Sequence, residues 1–130
     1  MPNYIEMKSV EAQMPDLRQE TITIADGREL DVLIARFGGD VFISISGGQE
    51  HIGSLSMGNA KLSRNWTAPP HKEYEITEPV RKHFRAAFPT ATVVVLAGIH
   101  FDNISHLEIA DLCRQCESWA EGYVRKIQAK

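Results

Sequence analysis

Cysteine is nearly absent from this chain: 130 residues contain only Cys113 and Cys116. That excludes a disulfide framework, and the lack of a second pair excludes a four-cysteine zinc site. CxxC spacing alone suggests redox chemistry or half of a metal site. Here it falls inside a helical pattern, where both sulfurs share one side and pack as small hydrophobes. A basic excess is also missing. The net charge of −3 argues against a general nucleic-acid binder, although local Lys and Arg suffice for one small anion. No apolar run approaches the roughly 20 residues of a membrane span. Met1 to Lys8 lacks the basic region and apolar core of a signal peptide, so the expected location is the cytoplasm. No serine stands in a nucleophile-elbow context, no catalytic triad can be drawn, and neither a P-loop nor a GxGxxG pattern occurs.

What remains is the composition of an ordinary globular protein, 43% hydrophobic and 24% charged, with enough length for one real core. Residues 1–18 contain Pro2 and Pro15 with little periodicity and read as an N-terminal arm or short helix that leads into the sheet. Residues 19–130 read as one domain. Strands are expected at 20–25, 30–37 and 40–46, joined at Asp26-Gly27 and Gly38-Gly39, both tight-turn signals. A fourth strand follows from His51 to about Met57, and the stretch from Gly58 to Pro70 has room for a fifth. Glu78 to Phe88 reads as a helix with Pro79 in its first turn and Pro89 as its stop. Thr92 to Ala97 reads as a buried strand stopping at Gly98. The last helix opens on a capping box, Ser105 with Glu108, flanked by Ile104 and Ile109. Its stripe of Ile109, Leu112, Cys113, Cys116, Ala120, Tyr123 and Ile127 should face the sheet. Hairpin-linked strands followed by helix, strand, helix predict an α+β fold: a mainly antiparallel sheet of about six strands with two helices packed on one face. Trp119 and Tyr123 beside the core stripe either finish the core or mark a homodimer contact.

Two segments carry polar side chains suited to chemistry. Gly98-Ile-His-Phe-Asp-Asn-Ile-Ser105 joins a strand to a helix, a place where a rigid scaffold holds a functional loop. His100 and Asp102 lie two apart and point to one side of an extended chain. With His51 they make a candidate metal site of two histidines and one carboxylate, or a general base with its orienting carboxylate. Asp102 and Asn103 serve equally well as turn and cap residues. The second segment is Ser46-Gly-Gly-Gln-Glu-His-Ile-Gly53. Gly47, Gly48 and Gly53 let backbone amides approach an anion, or simply turn the chain. Lys61 and Arg64 can add positive charge, and Trp66 can stack on an aromatic ligand. His71, His83 and His106 read as surface residues. Any joint role for the two segments requires that they meet in space.

Gly48-x-x-His51-Ile-Gly53, followed by Gly98-Ile-His100-x-Asp102-Asn103-Ile-Ser105, resembles the LpdD family, small proteins encoded with gallate-type decarboxylases of the UbiD class. The likeness runs from the third strand to the last helix. It implies a chaperone that binds prenylated FMN, or FMN, and hands it to a UbiD-like aromatic acid decarboxylase. It also implies a fold similar to the proteasome assembly chaperones, which pair through sheets and helices. A flavin prenyltransferase is the implied source of the cofactor. Carried over residue by residue, the motif positions are Gly48, His51, Gly53, Gly98, His100, Asp102 and Asn103. The stretch from Gly58 to Glu78, which holds Arg64 and Trp66, departs from the family pattern.

Three expectations compete. A cofactor chaperone, not a catalyst by itself, should carry flavin. A small enzyme using His51, His100 and Asp102 should bind a divalent metal. A cofactor-free assembly chaperone should depend only on an interface. A homodimer is expected, with no membrane and no nucleic acid among the partners.

Overall fold

The computed structural model describes residues 9–68 and 74–129. A short helix α1 (Val10–Gln13) leads into β1 (Leu17–Thr23), β2 (Glu29–Phe37) and β3 (Asp40–Gly48). β4 (Ser54–Gly58) and β5 (Ser63–Thr67) follow, then α2 (Tyr74–Ala87), β6 (Val93–His100) and α3 (His106–Gln128). All six strands join one sheet in the order β1-β2-β3-β6-β4-β5. Every neighbouring pair is antiparallel except β3 with β6. The expected α+β sheet with two helices is what forms. The two hairpins turn where Gly27 (φ +90°) and Gly38 (φ +59°) take backbone angles that a side chain disfavours.

β6 inserts between β3 and β4. The connection from β3 to β4, residues 49–53, must therefore cross β6 near its C-terminal end. β6 also runs past Gly98, where the sequence pattern predicts its end. Ile99 and His100 stay in register with Gly47 and Gly48 of β3. Glycine does not break the strand here because its missing side chain makes room for the crossing chain, as described below.

One face of the sheet builds the core. Leu30, Val32 and Ile34 on β2, Val41, Ile43 and Ile45 on β3, and Val93, Val95 and Ala97 on β6 are all buried, each set at strand alternation. Ile76, Val80, Phe84 and Phe88 come from α2 and its end, and Leu112, Cys116, Ala120, Tyr123, Val124 and Ile127 from α3. Val10 and Met14 are buried too, so the described residues before β1 pack on the core. Arg36 ties the segment down by donating to the Glu11 carbonyl at 2.6 Å and pairing with Asp16.

α2 begins earlier than its sequence pattern suggests, which places Pro79 inside the helix rather than in its first turn. The Pro79 nitrogen cannot donate, so one helical hydrogen bond is forgone. The α3 capping box forms as expected, with Glu108 N donating to Ser105 Oγ at 3.1 Å and Ser105 N to Glu108 Oε1 at 2.9 Å. Ile109, expected in the core stripe, is instead 39% exposed, and Val124 joins the buried set.

Trp119 and Tyr123 finish the core. Their rings stack with centroids 5.4 Å apart, and each lies about 6 Å from Phe84. Trp119 Nε1 donates to Glu20 Oε1 at 3.2 Å. These aromatics are spent inside the protomer, which removes them as a reason to expect a dimer. His83, expected at the surface, bridges α2 to α3 through Glu117 Oε2 at 3.0 Å. His106 is exposed, and His71 lies outside the described residues.

A buried polar chain lies where α2 passes beneath β4 and β5. Ser54 Oγ meets Thr77 Oγ1 at 2.8 Å. Arg81, 8% exposed, donates from Nε to Ser56 Oγ at 2.8 Å. Ser56 Oγ donates onward to Asn65 Oδ1 at 2.5 Å, and Asn65 Nδ2 to Glu78 Oε2 at 3.0 Å. Gly58 makes room, since a Cβ there would sit 3.0 Å from Arg81 Nη1.

Among the described residues the second face of the sheet carries no helix. The alternate strand positions that face it include Leu33 and Ala35 on β2, Phe42 and Ser44 on β3, Val94 and Leu96 on β6, and Leu55 and Met57 on β4. Among the described residues no helix is long and apolar enough to cross a membrane.

Candidate functional site

The two polar segments do meet. Gly47 pairs with Ile99 and Gly48 with His100 in the parallel β3–β6 ladder. Gln49 N donates to the His100 carbonyl at 3.0 Å, and Gly53 N to the Ala97 carbonyl at 2.9 Å. The crossing segment therefore hydrogen-bonds to both ends of the Gly98 stretch. The spatial requirement behind a joint role is met by backbone pairing alone.

The glycines serve this crossing. A Cβ on Gly98 would lie 1.4 Å from the His51 carbonyl oxygen, and one on Gly48 would lie 1.9 Å from the His100 carbonyl oxygen. Gly48 also has φ +66°. Gly47 is crowded by Leu30 and Phe101. These positions admit the chain's own atoms. Two amides of the region, those of Gln49 and Gly53, are likewise spent within the fold.

His100 ends β6 with its side chain on the open face and 49% exposed, and its Nε2 is 3.2 Å from Asp102 Oδ1. Asn103 turns the loop with φ +60°, a left-handed angle that asparagine tolerates. His51 faces differently. Its Nδ1 lies 3.0 Å from the Gln49 carbonyl, and its Nε2 is buried. The imidazole is thus folded into its own crossing segment, while His100 and Asp102 stand in solvent. Among the described residues no three His, Cys, Asp or Glu side chains are grouped to hold a metal. The two-histidine, one-carboxylate metal site expected at His51, His100 and Asp102 is not formed: the His51 ring is hydrogen-bonded into its own connector, and the three side chains are not grouped.

Arg64 and Trp66 sit two apart on β5, the edge strand, and share the open face. Trp66 pairs with Leu55, which pairs with Leu96, so an apolar row runs from the edge to the centre. Arg64, Met57 and Val94 make the next row, farther from His100. His100, Gly98, Trp66 and Arg64 therefore border one surface. Its floor is Leu96, Leu55, Val94 and Met57, and the crossing segment walls one end.

Arg28 is a residue that sequence reasoning passes over. Its guanidinium lies 5.1 Å from the Phe101 ring centroid, and its Nε is 3.3 Å from Asp26 Oδ2. It latches the β1–β2 turn to the loop after His100. The signal available is a cation just past an Asp-Gly turn, which has no meaning until the loop is placed over it. Beside it, the Ser105 backbone N–H and then its hydroxyl hold the Glu108 carboxyl below the usual carboxylate range. That fixes a negative charge at the start of α3.

The six-stranded sheet with helices on one face and a crossing connection between β3 and β4 has a counterpart among solved structures. The chain is similar to a protein in the crystal structure of a novel chaperone complex for yeast 20S proteasome assembly. The TM-score is 0.52 at 8% identity, over 87% of this chain and 98% of that one. At that identity the likeness concerns the fold. A search of curated proteins returns no match. The model of the prenylated flavin chaperone LpdD-like domain matches residues 25–128. The chain belongs to this LpdD-like family of prenylated flavin chaperones, and the match reaches back to β2, beyond the stretch that carried the sequence resemblance.

Proposed function

We propose that this protein binds prenylated FMN on the open face of its sheet, beside His100, and delivers it to a UbiD-like aromatic acid decarboxylase. The observation that carries the reading is the uncharged apolar floor of Leu96, Leu55, Val94 and Met57 between His100 and Trp66. A prenylated tricyclic ring is flat and largely apolar, and such a floor with an indole at its margin suits it. His100, held near Asp102, provides an exchangeable proton at the flavin's polar edge. Arg64 supplies the positive charge on this face for the phosphate. Gly48, Gly53 and Gly98 position the wall, and Asn103 turns the loop that presents Asp102. Gly47 and His51 support the crossing rather than reach the ligand.

On this reading the protein is a carrier and not a catalyst by itself. The flavin supplies decarboxylation chemistry only in the acceptor enzyme. The cofactor comes from a flavin prenyltransferase, and the exchange takes place in the cytoplasm. An exposed, shallow site fits a carrier, because cargo must leave as readily as it enters.

The test is to coexpress the protein with a flavin prenyltransferase and record absorbance and mass spectra. Wild type should retain prenylated flavin, with His100→Ala and Trp66→Ala retaining less. Purified loaded protein should then activate an apo-decarboxylase. Wild type that emerges without flavin would overturn the reading.

A further inference from the structure

We propose that Arg28 is a positioning residue for the His100–Asp102 pair and acts on it through the ring of Phe101. His100 is held by the sheet. Its carbonyl accepts from Gln49 N at 3.0 Å, and it stays in register with Gly48. Asp102 lies past the end of the strand, in the turn that runs to the α3 cap at Ser105. Its side chain is 79% exposed, yet Oδ1 meets His100 Nε2 at 3.2 Å. Between the two stands Phe101, and Phe101 is anchored.

The anchor is a socket for the ring. A Cβ on Gly47 would lie 3.0 Å from the ring and one on Gly48 2.9 Å, so two glycines make the floor. The ring also packs against the core. Arg28 closes the socket, with its guanidinium 5.1 Å from the ring centroid. Asp26 Oδ2, 3.3 Å from Arg28 Nε, fixes where the guanidinium lies. A ring enclosed in this way has one place to lie, and the chain leaving it brings Asp102 to one place beside His100.

Packing alone does not call for arginine at this position. Among the described residues Arg28 Nη1 is buried and has no hydrogen-bond partner. Such a state costs stability and is uncommon in folded proteins. An aliphatic side chain would cover the ring without that cost. Arginine adds a cation drawn to the ring face and tethered by a carboxylate, which gives the contact a direction. A local rule broken next to an exposed polar pair marks geometry kept for function.

That the pair holds flavin rests on the proposed function; that Arg28 fixes Asp102 against His100 does not. The experiment therefore has two parts. The first records the ring-nitrogen NMR signals of His100 in flavin-free protein, assigned with His100→Ala. Asp102→Asn should shift them in the wild-type background, because the carboxylate lies beside the ring. In the Arg28→Ala background the same change should leave them nearly unmoved, and Arg28→Lys should restore the shift. The turn itself survives these substitutions. The Arg28 backbone N donates to Asp26 Oδ1 at 2.9 Å, and its carbonyl accepts from Ile24 N at 2.9 Å. Phe101→Leu removes the ring instead of its cover and should reproduce Arg28→Ala. No Asp102→Asn shift in wild type, or an equal shift with and without the Arg28 side chain, would overturn the proposal.

The second part is flavin retention on coexpression. Arg28→Ala should lower it about three- to tenfold, the range expected of coupled groups. Arg28→Ala combined with His100→Ala should lose no more than His100→Ala alone. Additive losses would overturn the positioning role. Wild type without flavin would remove the cofactor reading and leave the ring-nitrogen spectra to decide the role of Arg28.

Discussion

The carbonyl of His51 lies directly over the α-carbon of Gly98, so close that no side chain fits between them. Gly98→Ala must push the crossing segment off β6 and break the Gly53 N to Ala97 carbonyl bond. We expect a loss of about 3 kcal/mol or more, the scale of severe overpacking. Gly122 is the control. It lies exposed within α3, with open space where a Cβ would project, and Gly122→Ala should stabilise by about 1 kcal/mol. Urea denaturation of both variants gives the two signs.

Ser56 is the acceptor for the buried Arg81 guanidinium. Ser56→Ala removes it and also leaves Asn65 Oδ1 without its donor. The expected destabilisation is about 1–3 kcal/mol, the usual penalty for stranding a buried polar group, here Arg81. If thermal and urea melts place Ser56→Ala within experimental error of wild type, the polar chain beneath β4 carries no stability.

Glu20 gives the protein a predictable acid sensitivity. Burial acts to raise its carboxyl, but hydrogen bonds from Arg18 and Trp119, with the Arg18 charge, outweigh burial and hold it below the ordinary value. A carboxyl lowered on folding contributes stability above its unfolded value, and that contribution is lost as pH falls through its folded value. Glu20→Gln should therefore cost stability near neutral pH, and its difference from wild type should shrink on acidification. Chemical denaturation midpoints across that range measure the shrinkage; a constant difference would contradict it.

The two cysteines should be unreactive in the folded protein. Burial first, then the nearby Glu75 charge, pushes the Cys113 thiol up to about 11, and burial raises Cys116 as well. Thiolate, the reactive form, is scarce at neutral pH. A colorimetric thiol reagent should label neither residue quickly until denaturant is added. Fast native labelling of Cys116 would mean that α3 opens locally.

Much of this fold is legible in the sequence because alternation and turn residues are local signals. The strands of the first two hairpins follow from Asp26-Gly27 and Gly38-Gly39, and the start of α3 follows from Ser105 and Glu108. Pro79 misleads because proline is most at home in a first turn, while the apolar positions Ile76, Val80 and Phe84 hold the helix together through it. Gly98 misleads for a different reason. A glycine reads as a strand end, and only the insertion of β6 between β3 and β4 shows it to be a crossing point. The candidate site divides in the same way. His100 and Asp102 lie two apart, and their spacing alone pairs them. The placing of His51 depends on which way a short connector turns, which no periodicity records. Arg28 over Phe101 joins residues far apart in the chain and has no local signature at all.

The insertion of β6 also sets an order on synthesis. β1, β2 and β3 can zip together as soon as they emerge, because each follows its neighbour in the chain. β4 cannot reach its place in the same way. Its inner neighbour is β6, which starts only at Val93, so the β4–β5 hairpin and the 49–53 connector must wait while α2 is made. Until Val93 to His100 arrive, the nascent chain exposes the unpaired edge of β3, with Val41, Ile43 and Ile45 along it. A protein that serves as a chaperone thus passes through a stage in which its own half-built sheet is most in need of protection.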